Sequence, residues 1–123
     1  MPSRPRVLLA DDYPEIVKAV SRLLALDCDV VGTVADGSEL LVTVQRLEPD
    51  VVVLDVNLPG VQSLEACREI TRANPERKVI MFTAVDDPNL SQAFLEAGAS
   101  AFVSKVASVD LLRTIKRLCA DGG

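Results

Sequence analysis

Five short apolar runs punctuate the chain: Val7 to Ala10, Val30 to Val34, Val51 to Leu54, Val79 to Phe82 and Ala101 to Val103. They are β-branched or continuously apolar and do not alternate, which predicts strands covered on both faces of a parallel sheet. The segments between them carry helical spacing. Ile16, Val20, Leu23 and Leu24 share one face of the first, Leu40, Leu41, Val44 and Leu47 one face of the second, and Leu111, Leu112, Ile115, Leu118 and Cys119 one face of the last. Boundary signals agree with this division. Asp36 with Glu39 predicts a capping box, Asp87 followed by Pro88 an N-cap with Pro at N1, and Ser63 a cap for the third helix. Asn74-Pro75 closes that third helix and Gly98 falls where the fourth ends. The alternation, β then α five times over, predicts an α/β fold, a five-stranded parallel sheet with helices on both faces, and the doubly wound, flavodoxin-like order 2-1-3-4-5 is the one expected for it. Residues 1–123 read as one domain, with residues 1–5 and 121–123 expected to be flexible ends.

Composition narrows the function classes. Hydrophobic residues make up 49% of the chain and aromatic ones only 3%, so Val, Leu, Ile and Ala must build the core. A net charge of −5 disfavours nonspecific binding to nucleic acid or to an anionic membrane. No zinc finger, basic arm or basic recognition helix is present, so this chain itself is not expected to bind DNA. Arg113, Lys116 and Arg117 on the last helix read as a solvated face. Cys28, Cys67 and Cys119 are scattered and odd in number, which argues for apolar fillers in a reducing compartment and against a disulfide framework. With neither a leader-like run after Met1 nor a bilayer-length apolar stretch, a cytoplasmic protein without membrane contact is expected.

The chemistry is concentrated where strands end. The first strand runs into Asp11-Asp12, the third into Asp55 and the fourth into Thr83, while Lys105 follows the fifth. In an open doubly wound sheet, ligands bind beyond the carboxyl ends of the strands, where strand order reverses. With order 2-1-3-4-5, strands one and three flank that point and three carboxylates converge on one cleft. They need counter-charge or at least one pKa rises. A hard divalent cation such as Mg²⁺, together with Lys105, balances the three aspartates. Asp55 stands alone at its strand end and is the better phosphoryl acceptor, whereas Asp11 and Asp12 read as a metal-holding pair. A phosphoryl group on Asp55 would be held by the metal and Lys105, with a hydrogen bond from the Thr83 hydroxyl.

The Asp-Asp pair after strand one, Leu54-Asp55-Val56-Asn57-Leu58-Pro59-Gly60, Phe82-Thr83-Ala84, Ala97-Gly98-Ala99 and Phe102-Val103-Ser104-Lys105 together resemble the response-regulator receiver family over essentially the whole chain. The resemblance implies direct Mg²⁺ coordination by Asp12, Asp55 and the Asn57 backbone carbonyl, with Asp11 acting through water. It implies a phosphorylation switch in which Thr83 moves toward the phosphoryl group and Phe102 turns inward. It also implies a sensor histidine kinase or phosphotransfer protein as donor, homodimerisation on phosphorylation, and control of an effector domain or protein partner. Val106 stands where many receivers carry Pro, and in this the sequence resembles the LuxR-type (NarL/FixJ-like) branch, whose receivers precede a DNA-binding domain. Phe102 lacks the hydroxyl of the more familiar Tyr.

Competing readings fare less well. A haloacid-dehalogenase-like phosphohydrolase needs Asp-x-Asp, but the sequence here is Asp55-Val56-Asn57, and the chain has no histidine to shuttle a proton in its place. A flavodoxin-like cofactor binder needs a phosphate-cradling loop where Asp11-Asp12-Tyr13-Pro14 stands. A phosphorylation-independent interaction domain is the remaining alternative. The expected function is that of a switch, not of an enzyme with multiple turnover.

Overall fold

The five apolar runs form five parallel strands: β1 Arg6–Ala10, β2 Asp29–Val34, β3 Val51–Asp55, β4 Lys78–Thr83 and β5 Ala101–Ser104. The helices are α1 Pro14–Leu24, α2 Leu40–Leu47, α3 Ser63–Ala73, α4 Pro88–Glu96 and α5 Val109–Ala120. The computed structural model describes residues 4–85 and 87–120. Strand order is 2-1-3-4-5, as the sequence predicts. The order reverses between β1 and β3, which pair in register from Val7 opposite Val51 to Ala10 opposite Leu54.

Strand periodicity sorts the core into two layers. Val7, Leu9, Val51, Val53, Ile80, Phe82 and Val103 point to one face, where Val20 and Leu24 of α1 and Leu111 and Ile115 of α5 cover them. Leu8, Ala10, Val52, Leu54, Val79 and Met81 point to the other, beneath Leu40 and Val44 of α2, Cys67 and Ile70 of α3 and Phe94 of α4. Every residue of β3 is buried, which is why that run reads as unbroken apolar sequence up to Asp55. Removing a large aliphatic side chain from water contributes roughly 1.5–3 kcal/mol, so these layers hold the strand ends rigidly in relation to one another. Edge strand β2 is less regular: its register slips between Val7 and Leu8, leaving Val31 as an extra residue.

The boundaries correct two details of the sequence reading. Ser63 is the first residue of α3 and does not cap it; its hydroxyl donates to the Asp55 carbonyl at 2.9 Å, while Gln62 takes the cap position. Asp36 does cap, but by accepting from Ser38 N at 2.8 Å, and Gly37–Glu39 form a 3₁₀ turn ahead of α2 without a reciprocal Glu39 bond to Asp36. Of the expected flexible ends, residues 1–3 and 121–123 lie outside the described residues. Arg4 and Pro5 are held: Arg4 donates to the Ala25 and Cys28 carbonyls and to Asp29, and the Pro5 carbonyl accepts from Asp29 N. The other signals stand where expected. Asp87 caps α4 by accepting from Asn89 N at 2.9 Å, ahead of Pro88. Asn74 closes α3. No helix among the described residues is long and apolar enough to cross a membrane.

Gly98 leaves α4 at φ +110°, and a Cβ there would meet Thr71 Oγ1 at 2.5 Å. Gly98→Ala is therefore expected to lower unfolding stability by about 1–3 kcal/mol, through backbone strain and crowding together. Urea denaturation of the purified variant checks this; a midpoint equal to wild type would show that the turn relaxes freely.

Candidate functional site

The same strand periodicity that builds the core aims the chemistry. Continuing Val7–Leu9 gives Asp11, Val51–Val53 gives Asp55, and Ala101–Val103 gives Lys105, all on the α1/α5 face just beyond the carboxyl ends of their strands. Asp11 and Asp55 are 1% and 5% exposed, whereas Asp12 is open to solvent. The structure brings all three predicted aspartates together, with carboxylate oxygens within 4.8 Å of one another. Lys105 reaches in from β5: its Nζ lies 2.7 Å from Asp11 Oδ2 and 3.4 Å from Asp55 Oδ2. It also stands 5.6 Å above the centre of the Phe82 ring, close enough for a cation–π attraction.

A common device ends every strand. Asp11 accepts from Tyr13 N at 2.9 Å, Asp36 from Ser38 N at 2.8 Å and Asp55 from Asn57 N at 3.0 Å. Thr83 accepts from Val85 N at 3.0 Å and Ser104 from Val106 N at 3.2 Å. Each is a short polar side chain closing a turn on its own backbone two residues on. Asp11 and Asp55 thus commit Oδ1 to the backbone and present Oδ2 to the cleft. Asn57 is exposed, in the loop that Asp55 launches.

The electrostatics are those of an under-neutralised cleft. Burial pushes the Asp55 carboxyl above its ordinary value, opposed by the Asn57 N–H and the Lys105 ammonium and reinforced by the negative charge of Asp11. Asp11 Oδ2 is buried and receives no hydrogen bond of acceptable geometry, so its short approach to Lys105 is a charge contact that leaves a lone pair unspent. Oxygen-only donors, two of them buried and one facing water, with Asp11 Oδ2 ion-paired to Lys105 but not hydrogen-bonded, fit a hard divalent cation that keeps several waters, as Mg²⁺ does.

The predicted switch residues lie toward the other side of the sheet. Thr83 is 1% exposed, and because its oxygen accepts the turn hydrogen bond its hydroxyl proton is available to donate. Thr83 pairs with Ser104, and Phe102 with Met81, so Phe102 sits one row below Thr83 on the α4 face. Its half-buried ring packs against Phe94 of α4, centroids 6.2 Å apart and tilted by 44°. Sequence reasoning missed two contributors: Ser63, tethering the Asp55 carbonyl, and Phe82, lying under Lys105. The Ser63 signal was a hydroxyl eight residues past the aspartate; the Phe82 contact requires the β3–β4–β5 pairing to be known. Burial pushes the Cys28 and Cys67 thiols up to about 11, in keeping with their reading as inert fillers. On α5, Arg113 pairs with Asp110 and Lys116 with Asp27 at the surface.

Comparison with known proteins places this site in context. A family model described as the response regulator receiver domain matches residues 7–117. The response regulator GacA of Pseudomonas viridiflava is 35% identical over 119 residues, covering 94% of this chain and 55% of that protein. The chain thus spans about half the length of the curated relatives it matches. Among solved structures, a LuxR-family two-component response regulator from Aurantimonas sp. SI85-9A1 superposes with TM-score 0.89 at 30% identity, covering 97% of this chain and 87% of that one. The signal receiver domain of NarL from Mycobacterium tuberculosis superposes with TM-score 0.87 at 28% identity, covering 99% and 100%.

The raised Asp55 value fixes the sign of a pH effect. The folded state holds this proton more tightly than the unfolded chain, so ionising Asp55 costs stability, and the cost grows as pH rises from the unfolded value near 3.8 through the raised folded one. Asp55→Asn keeps an oxygen for the Asn57 turn and removes the charge. In metal-free buffer at pH 7 it is expected to melt above wild type, with the gap closing toward pH 4 and narrowing at pH 7 when Mg²⁺ is added. Thermal melts across that grid test it; a variant less stable than wild type at pH 7 would mean Lys105 already overcompensates the burial.

Proposed function

The chain belongs to the response regulator receiver domain family, the phosphorylation-activated switches of two-component signalling, and from that premise we propose that Asp55 is its phosphoryl acceptor. Asp12, Asp55 and the Asn57 backbone carbonyl would hold Mg²⁺, with Asp11 acting through water. The observation that carries this reading is the placement of Lys105 between Asp11 and Asp55, in a cleft whose remaining donors are carboxylate oxygens.

These 123 residues hold no histidine, so a phosphohistidine comes from outside them, from a sensor histidine kinase or a phosphotransfer protein. Asp55 attacks the phosphorus through a carboxylate oxygen, a P–O bond forms, the donor's P–N bond breaks, and the imidazole leaves with its electron pair. A bound Mg²⁺ supplies charge neutralisation at the phosphoryl oxygens. The acceptor's single negative charge becomes about two. Lys105, already within reach of both buried carboxylates, turns from counter-ion of the resting cleft to ligand of the phosphoryl group. Thr83 donates its hydroxyl proton to a phosphoryl oxygen and draws the β4–α4 loop with it. Phe102, packed on α4 one row below, repacks as that loop moves. Its neighbourhood opens onto a groove lined by Ser104, Ala107, Asp110, Arg113 and Arg117, a surface through which the change reaches a partner or a second copy. The likeness to LuxR-family regulators supports a DNA-binding effector as output, with the receiver itself making no contact to nucleic acid. Asn57 in place of a second carboxylate disfavours a turnover phosphohydrolase.

Intact mass after incubation with a small acyl phosphate tests the chemistry. Wild type with Mg²⁺ is expected to gain one phosphoryl group, and to gain none without Mg²⁺ or as Asp55→Ala; a gain retained by Asp55→Ala would move the acceptor elsewhere. Thr83→Ala separates acceptance from switching. It is expected to gain the same mass, yet to show less than about half the wild-type change in the Phe102 amide signal in ¹H–¹⁵N spectra, and a full-sized change would break the proposed coupling route.

A further inference from the structure

The loop that carries Asn57 is held in place by a turn that contributes nothing to the acidic cleft. We propose that Gly37, at the exit of β2, is a positioning residue for the metal-binding loop that follows β3; this rests on the Mg²⁺ reading of the cleft given above.

Three contacts support it. Gly37 N donates to the Pro59 carbonyl at 2.7 Å, a backbone bond between the β2–α2 and β3–α3 turns, which are not strand neighbours. Gly37 is buried, and a Cβ there would fall well inside 3.0 Å of both Cβ and Cγ1 of Val61 and 2.9 Å from Val61 N. From the opposite side Gly60, at φ +87°, lies so near Asp36 that a Cβ would overlap its Oδ1 and come 3.2 Å from Gly37 N. Two glycines thus bring two backbones into direct contact, with the Asp36 carboxylate, pinned by Ser38 N, filling the corner.

The same stretch of β2 holds the other half of the cleft. Asp11 N donates to the Val34 carbonyl at 3.0 Å. Four residues of chain, Val34 to Gly37, therefore connect the backbone of Asp11 to the loop of residues 56–62 across the point where strand order reverses. Ser63 fixes the near end of that loop by donating to the Asp55 carbonyl, and Gly37 fixes its middle. Direct β1–β3 pairing sets the spacing of Asp11 and Asp55, and the contact with Gly37 adds a tether on the loop that follows Asp55. Groups that orient metal ligands without touching the metal typically change affinity by about 10–100-fold when altered.

The test is a titration of purified wild type, Gly37→Ala, Val61→Gly and the double variant with MgCl₂ alone, followed by amide shifts in ¹H–¹⁵N spectra. Gly37→Ala is expected to fold yet bind Mg²⁺ about 10-fold more weakly, and Val61→Gly, which removes the two side-chain overlaps and leaves only the 2.9 Å approach to the backbone N of residue 61, is expected to restore most of that loss in the double variant. A folded Gly37→Ala with wild-type affinity overturns the proposal, as does a loss that the double variant does not recover. If Gly37→Ala does not fold, amide exchange in wild type decides: Mg²⁺ is expected to slow exchange at Gly37 as well as at Asn57, and an unchanged Gly37 rate overturns the proposal. Wild type that binds no Mg²⁺ removes the metal reading itself, and the positioning role falls with it.

Discussion

Three carboxylates and one ammonium share a cleft in which Asp11 and Asp55 are buried and Asp12 faces solvent, and the rest of the structure is arranged around that imbalance. Charges 4 Å apart interact by about 4 kcal/mol at an effective dielectric constant of 20, several times their strength in water. Lys105 can offset one aspartate, and it divides itself between Asp11 and Asp55. The net negative charge that remains cannot relax by side-chain motion, because each buried carboxylate has one oxygen tied to its own turn. The resting molecule is therefore poised toward cations, and a group bringing both a phosphoryl charge and a metal meets partners already in position.

Geometry delivers these partners with little machinery. Positions 7, 9 and 11, 51, 53 and 55, and 101, 103 and 105 are three parallel columns whose lower members are core and whose top members are chemistry. A one-residue slip would turn each column onto the opposite core layer, mismatching the packing of both layers and taking the top member out of the cleft. Packing energy spread over the whole sheet thus becomes precision at the few atoms above it. Thr83 belongs to a column of the opposite face, the face on which Phe102 packs against α4.

Much of this was legible in the sequence, for identifiable reasons. Strands covered on both faces leave unbroken apolar runs, so the strands and the residues ending each one followed from pattern, while strand order came from the flavodoxin-like topology expected of such a sheet. Asp11, Asp12, Asp55 and Lys105 could be grouped because each immediately follows such a run. What escaped depends on phase or on contact between distant turns. A one-residue shift makes Ser63 the opening residue of α3, and its hydroxyl then points back at the Asp55 carbonyl. The extra residue at Val31 is invisible because β2 reads as a continuous strand. Gly37 and Gly60 look like ordinary turn glycines until the two turns are seen to touch.

The five strand-end turns carry a consequence for how the site can vary. At positions 11 and 55 the residue that closes the turn also offers a carboxylate oxygen to the cleft, so architecture and chemistry are not separable modules there. A replacement that keeps a short side-chain oxygen keeps the turn while erasing or altering the charge, and the scaffold tolerates it silently. A longer or apolar replacement loses both together. Among sequences sharing this fold, inactive members are thus expected to be drawn mainly from Asn, Ser and Thr at these positions, because only these let the chemistry disappear without the architecture.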